Sequence, residues 1–249
     1  MTTARTRRSD RGFSLMELMV ATLLFTVIAG VVFSLLGLSM KRYQFEKDYL
    51  VAFQQASVAM DQITRDVHST GYPPKNAFTT ATATANPTKV ANAFAFMPGY
   101  PAAPCAVGVC TSPGPYDLIT EFDPGNGAIQ WVRYQLVGTT LMRGVTPKVG
   151  TDPVTSTNGV MVAYLDNVMN NPTAAQMTAL QASNPGLFPG SAAVPVFTYT
   201  YDPGTAAQPP NIREVNITLI VEDPRLDQVS KKLRIVTLTG QAARINPNK

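Results

Sequence analysis

The chain has 249 residues, 45% of them hydrophobic and 14% charged, with a formal net charge of +4. That composition excludes a disordered chain and leaves room for one domain, or for a small domain with an appended segment. Arg5, Arg7, Arg8 and Arg11 against Asp10 hold most of the positive charge, so the residues after Gly12 carry no footprint for a polyanion and nucleic-acid binding is unsupported.

No charged residue occurs from Leu18 to Met40. As a helix this run is about 34 Å long, against a hydrocarbon layer of about 30 Å. The head arginines place the N-terminus on the cytoplasmic side, although Lys41 and Arg42 weaken the asymmetry. Glu17 stands just inside the leading edge of the run. A carboxylate at lipid depth costs roughly 2.5 to 3.5 kcal/mol on insertion scales, so it needs a partner or a purpose. A secretory signal cut near Val27-Ile28-Ala29 is the rival reading; the length of the run, Glu17 and the helical pattern that follows all oppose it.

That pattern is a stripe of Tyr49, Phe53, Ala56, Met60, Ile63 and Val67 at alternating steps of four and three, the spacing of one helix face. Lys47, Asp48, Gln54, Gln55, Asp61, Gln62, Arg65 and Asp66 fall opposite. No proline interrupts residues 13–72, and Gly71-Tyr72-Pro73-Pro74 supplies a stop. The expectation is one helix of about 87 Å that begins in lipid and ends on a soluble domain.

The string Arg11-Gly12-Phe13-Ser14-Leu15-Met16-Glu17-Leu18-Met19-Val20-Ala21 resembles the processing site of type IV prepilins and type II secretion pseudopilins. The resemblance implies cleavage between Gly12 and Phe13 by a membrane prepilin peptidase, and N-methylation of the new Phe13 amine. It further implies that Glu17 meets such an amine on a neighbouring subunit and guides subunit assembly. Physically, a cation inside the apolar layer is the partner that the carboxylate lacks; pairing within one chain and a protonated Glu17 are the alternatives. Many major pilins have a proline where this chain has Ser34, so no proline kink is expected there. The implied organisation is a leader over 1–12, a transmembrane half of the helix over 13–40, an amphipathic half over 41–71 and a β-rich periplasmic or extracellular domain over 72–249.

Residues 73–116, rich in Pro, Ala and Thr, read mainly as loop, with one short strand near 93–97. Cys105 and Cys110 lie in this stretch. Two readings stand, a small disulfide-closed loop and two unrelated buried thiols; the turn-rich surroundings favour the bridge. Strand signals follow at 117–123, 128–137, 141–143, 160–165, 194–201, 213–221 and 232–239, with a hairpin between the second and third. Val215, Ile217, Leu219 and Val221 alternate with polar residues, as in a sheet with one covered face. The segment 166–193 reads as an insertion holding a short helix over 173–183. The fold class expected is α+β and pilin-like, with the long N-terminal helix packed on an antiparallel sheet.

Arg65-Asp66 with Gly71-Tyr72, Val132-Arg133-Tyr134-Gln135-Leu136 with Leu141-Met142-Arg143, Phe197 to Asp202, and the strand near Leu233 to Leu238 resemble PilW-type minor pilins and J-type pseudopilins. The first resemblance implies a minor pilin that works with other minor and major pilins and an inner-membrane assembly platform, priming pilus assembly and hence motility and adhesion. The second implies a part in type II secretion. A tip adhesin or DNA-uptake pilin using 73–116 or 166–193 as its contact surface is a further alternative. No enzyme is expected. His68, the one histidine, has no nucleophile motif to serve, and there is no phosphate loop or zinc spacing, so no cofactor or metal is expected. The acidic stretches 117–123 and 222–227 lack EF-hand spacing and read as solvated turns.

Overall fold

A computed structural model describes residues 14–74, 77–79, 87–91, 94, 113–149, 152–205, 211–223 and 233–245. The chain divides into two compact units, Met1–Lys47 and Asp48–Lys249. One helix, α1 (Leu15–Ser69), starts in the first and ends in the second.

Over residues 18–40 α1 carries no charge and is apolar all round. Leu23, Phe25, Phe33 and Leu36 are each more than half exposed. A window of mean hydropathy 2.5 has none of its residues buried, and by length and composition the helix suffices to cross a membrane. An all-round apolar surface with no protein against it is what a lipid-facing helix requires.

In the second unit α1 turns amphipathic. Ala52, Ala56, Ala59, Met60, Ile63 and Val67 are buried, whereas Phe53, expected on this face, is 42% exposed. The face is narrower than the sequence stripe and is built on alanines, which lets backbones approach closely. At Gly240 an added Cβ would lie 2.7 Å from Met60 Sδ. The helix ends as Gly71 turns left-handed at φ 80°, a conformation that glycine adopts without a Cβ clash. Gly71 N–H then donates to Glu121 O at 2.8 Å, and Asp123 N–H to Tyr72 O at 2.8 Å, tying the helix end to a strand end.

Seven strands follow: β1 (Asp117–Phe122), β2 (Gln130–Val137), β3 (Thr140–Pro147), β4 (Val162–Leu165), β5 (Phe197–Tyr201), β6 (Ile212–Glu222) and β7 (Ile235–Ala243). They form two antiparallel sheets, β1-β2-β3-β4 and β5-β6-β7, not a single one. The break has a local cause. β5 pairs only with the first half of β6, and the second half is taken by residues 167–170, through the bridge Val168–Val221 and bonds from Met169 N–H to Ile220 O and Glu222 N–H to Asn167 O. Asn170, fully buried, completes the join. Its Nδ2 donates to Val194 O and Thr218 O, and its Oδ1 accepts from Ile220 N–H.

One core lies under α1 and draws on both sheets: Leu118, Val132, Tyr134 and Leu141 from one, Val215, Ile217, Leu219, Val236 and Ala242 from the other. The alternation in β6 is therefore observed. The one covered face expected of this strand holds except near its end, where Ile220 is buried on the opposite side; in the other sheet all six residues of β1 are buried. A second small core of Met169, Leu180, Phe188 and Ile220 forms on the far side of β6, beneath α3 (Ala174–Ser183), whose N-terminus carries a Thr173–Gln176 capping box. A further helix, α2 (Pro153–Asn158), is capped by Asp152, which accepts from Thr155 N–H at 3.0 Å. From the short strand expected near 93–97, Phe94 is described and bridges Thr120.

Candidate functional site

At the start of α1 the side chains of Ser14 and Glu17 reach across the first turn. Ser14 N–H donates to Glu17 Oε2 at 3.0 Å, and Ser14 Oγ accepts from Met16 N–H at 3.3 Å. The first intrahelical bond, Leu18 N–H to Ser14 O, is 3.1 Å. This reciprocal cap satisfies backbone donors that a helix end otherwise leaves open. It shows what Glu17 does within its own chain: the carboxylate sits at the third helical position, where it also complements the positive end of the helix. The S-x-x-E spacing is the sequence signal for it. Gly12 and Phe13 lie outside the described residues, as do Cys105 and Cys110.

Forty-nine positions further along α1, Asp66 is the centre of a densely bonded polar cluster. Asp66, expected on the solvated face of α1, is only 4% exposed. Its Oδ1 accepts from Gln62 Nε2 at 2.8 Å, and its Oδ2 from Tyr134 Oη at 2.6 Å and Arg143 Nη2 at 3.0 Å. Arg143 Nε donates to Tyr134 Oη at 2.9 Å, and its guanidinium carbon lies 5.6 Å and 5.9 Å from the ring centroids of Tyr134 and Tyr164. Burial, reinforced by the Asp66 charge, pushes the Tyr134 phenol far above its ordinary value. Three sequence strings, Arg65-Asp66, Val132 to Leu136 and Leu141 to Arg143, thus meet in one network that fastens α1 to β2 and β3. Both Asp66 oxygens are committed to it, and His68 is not among its members.

The opposite face of the first sheet is also charged inside. Arg133, 3% exposed, donates Nε and Nη2 to Asp117 at 2.9 Å and 2.7 Å, and Nη1 to Val154 O at 3.3 Å and to Asn158, which anchors α2. Desolvation raises the Asp117 carboxyl above its usual range even though Arg133 pulls the other way. Lys148 forms an ion pair with Glu121 and donates to Val90 O at 2.9 Å; the two side chains are 2% and 0% exposed. The stretch 117–123 is therefore no solvated turn: Asp117 and Glu121 are strand residues in buried ion pairs. Among the described residues no group of acids, histidines or cysteines could hold a metal ion.

The capped start of α1, with Glu17 as the one acid in its first turn, runs straight into an exposed apolar span. Residues 7–33 match a prokaryotic N-terminal methylation motif. The motif spans Arg7, Arg8 and Arg11 of the basic head, Gly12, Phe13, the Ser14–Glu17 cap and about two thirds of the apolar run. It supports the resemblance to prepilins and pseudopilins, and with it processing by a prepilin peptidase and association with other pilins. Motif and apolar helix together are consistent with anchoring in the inner membrane. No curated protein and no solved structure matches the chain.

Proposed function

We propose that this chain is a minor pilin of PilW type in a type IV pilus and not an enzyme. It is made with a leader over 1–12, cut between Gly12 and Phe13, methylated on the Phe13 amine, and held in the inner membrane by residues 13–40 with the leader in the cytoplasm. It is then drawn into the base of a filament, where with other minor pilins it primes assembly and ends in the periplasmic or extracellular fibre. Glu17 pairs with the N-terminal amine of a neighbouring subunit as the helix leaves lipid.

The observation that carries this reading is the methylation motif placed directly on a capped, lipid-competent helix. The chemistry explains why acid and cleavage belong together. Proteolysis creates a cation four residues before Glu17, inside a medium where neither ion is tolerable alone. The polar strings that resemble PilW-type proteins support the finer assignment by occurring in order on one fold.

The test is mass spectrometry of the N-terminus of protein from membranes: a methylated Phe13 supports the proposal, and an intact Met1 or a start near Gly30 ends it. Loss of surface pili and twitching in a null mutant separates the pilus from a type II secretion pseudopilin, whose loss would instead leave exoenzymes inside the cell.

A further inference from the structure

Two Asn-Gly steps occur in the chain, Asn126-Gly127 and Asn158-Gly159. In such a step the glycine nitrogen attacks the preceding side-chain amide with no Cβ to hinder it, so the local hydrogen bonds decide whether attack proceeds. The turn between β1 and β2 supplies what the reaction needs. Gly127 N–H, the nucleophile, donates to Asp123 Oδ1 at 3.1 Å; that oxygen also accepts from Gly125 N–H at 2.8 Å and Asn126 N–H at 3.0 Å. Asn126 Oδ1, the atom that must take up negative charge, accepts from Ala128 N–H at 3.0 Å. Residues 125–128 are exposed, and Gly125 and Gly127 at φ 104° and 78° leave the turn free of side chains around Asn126.

We propose that Asp123-Pro124-Gly125-Asn126-Gly127-Ala128 is a self-deamidating turn, with Asp123 as general base and Ala128 N–H as oxyanion donor. The Gly127 nitrogen bonds to Asn126 Cγ while its proton passes to the Asp123 carboxylate. The oxyanion forms against Ala128 N–H, the one donor already aimed at that oxygen. The proton is handed to the amide nitrogen, the Cγ–Nδ2 bond breaks and ammonia leaves. Water then adds to one of the two carbonyls of the cyclic imide, giving aspartate, or isoaspartate with one extra backbone methylene. The turn thereby gains a second negative charge beside Asp123. Asn158 is arranged otherwise: it closes α2, its Oδ1 is held by the buried Arg133, and the Gly159 N–H points to Thr157 O, so no carboxylate receives it.

The full-length chain, purified in detergent and aged at neutral pH, is read by peptide mapping that resolves asparagine, aspartate and isoaspartate at both positions. Conversion at Asn126 should outpace that at Asn158. Asp123→Asn keeps the acceptor and removes the base, and Asp123→Ser does the same with a smaller side chain. Both should slow conversion at Asn126 by about tenfold or more, while Ala128→Pro, which deletes the oxyanion donor, should slow it in the wild-type background. If both Asp123 variants convert as fast as the parent or faster, the carboxylate merely restrains the turn and the proposal fails. It fails equally if Asn126 stays intact while Asn158 converts.

Discussion

Tyr134 donates its hydroxyl to Asp66 across 2.6 Å, joining a central strand to the last turns of the long helix through two side chains that water hardly reaches. Arg143 closes the triangle by donating to both. Replacing Tyr134 with Phe keeps the ring and deletes the bridge, leaving Asp66 and Arg143 each short of a bond. The expected cost is about 1–3 kcal/mol, read as a lower denaturation midpoint at unchanged denaturant slope.

The same tyrosine sets an alkaline limit. Burial first, and the Asp66 charge second, raise its phenol above the unfolded value. A raised pKa means that the contribution to stability is whole below the unfolded value, near pH 10, and is lost as pH climbs beyond it toward the folded value. Stability of the wild type should therefore fall above about pH 10, and Tyr134→Phe should fall less steeply there. Tyr199, half-buried, is raised too by desolvation and remains in the variant, so the slope should shrink without vanishing.

Lys148 and Glu121 test the cost of breaking a buried ion pair. Lys148→Met removes the cation from the buried Glu121 carboxylate, at about 3–5 kcal/mol. Adding Glu121→Leu should recover most of that loss, because two apolar groups replace a pair that had to be desolvated. Chemical denaturation of the single and double variants decides it; a double variant no better than Lys148→Met contradicts the pairing.

Gly240→Ala places a methyl 2.7 Å from Met60 Sδ. The thioether can swing, so the expected loss is about 1–3 kcal/mol. Met60→Ala alone opens a cavity; combined with Gly240→Ala it should cost less than the sum of the two single changes, a non-additivity expected of residues in contact.

Glu17 caps its own helix, and the proposed function adds a subunit amine as a second partner; substitution can separate the two. Glu17→Gln retains an oxygen for Ser14 N–H but carries no charge, whereas Glu17→Ala loses both. Both should abolish incorporation into filaments, while only Glu17→Ala should also shorten the helix start seen by hydrogen exchange. Filaments built from Glu17→Gln at wild-type efficiency would refute pairing with a subunit amine.

Periodicity made the apolar run, the β6 alternation and most of the strand order legible, because each repeats a short pattern that burial enforces. Asp66 was hidden because a carboxylate on a helix reads as solvated, and its partners lie 68 and 77 positions away. Ile63 and Val67 flank it on the buried side, so its position on the helix was a weak clue. α2 was missed for its length of six residues, although Asp152-Pro153 is a sound start signal. The division into two sheets depends on Asn170, whose three bonds no local pattern announces.

The tie at the end of α1 has a mechanical consequence. Gly71 and Tyr72 hand the helix directly to both flanks of the β1 terminus, at Glu121 and Asp123, and β1 is paired along its whole length with β2. Tension arriving at this helix end thus passes directly to a strand that is itself bonded to its neighbour along its whole length. In the proposed role, a subunit wired this way would meet a pull first through its sheet.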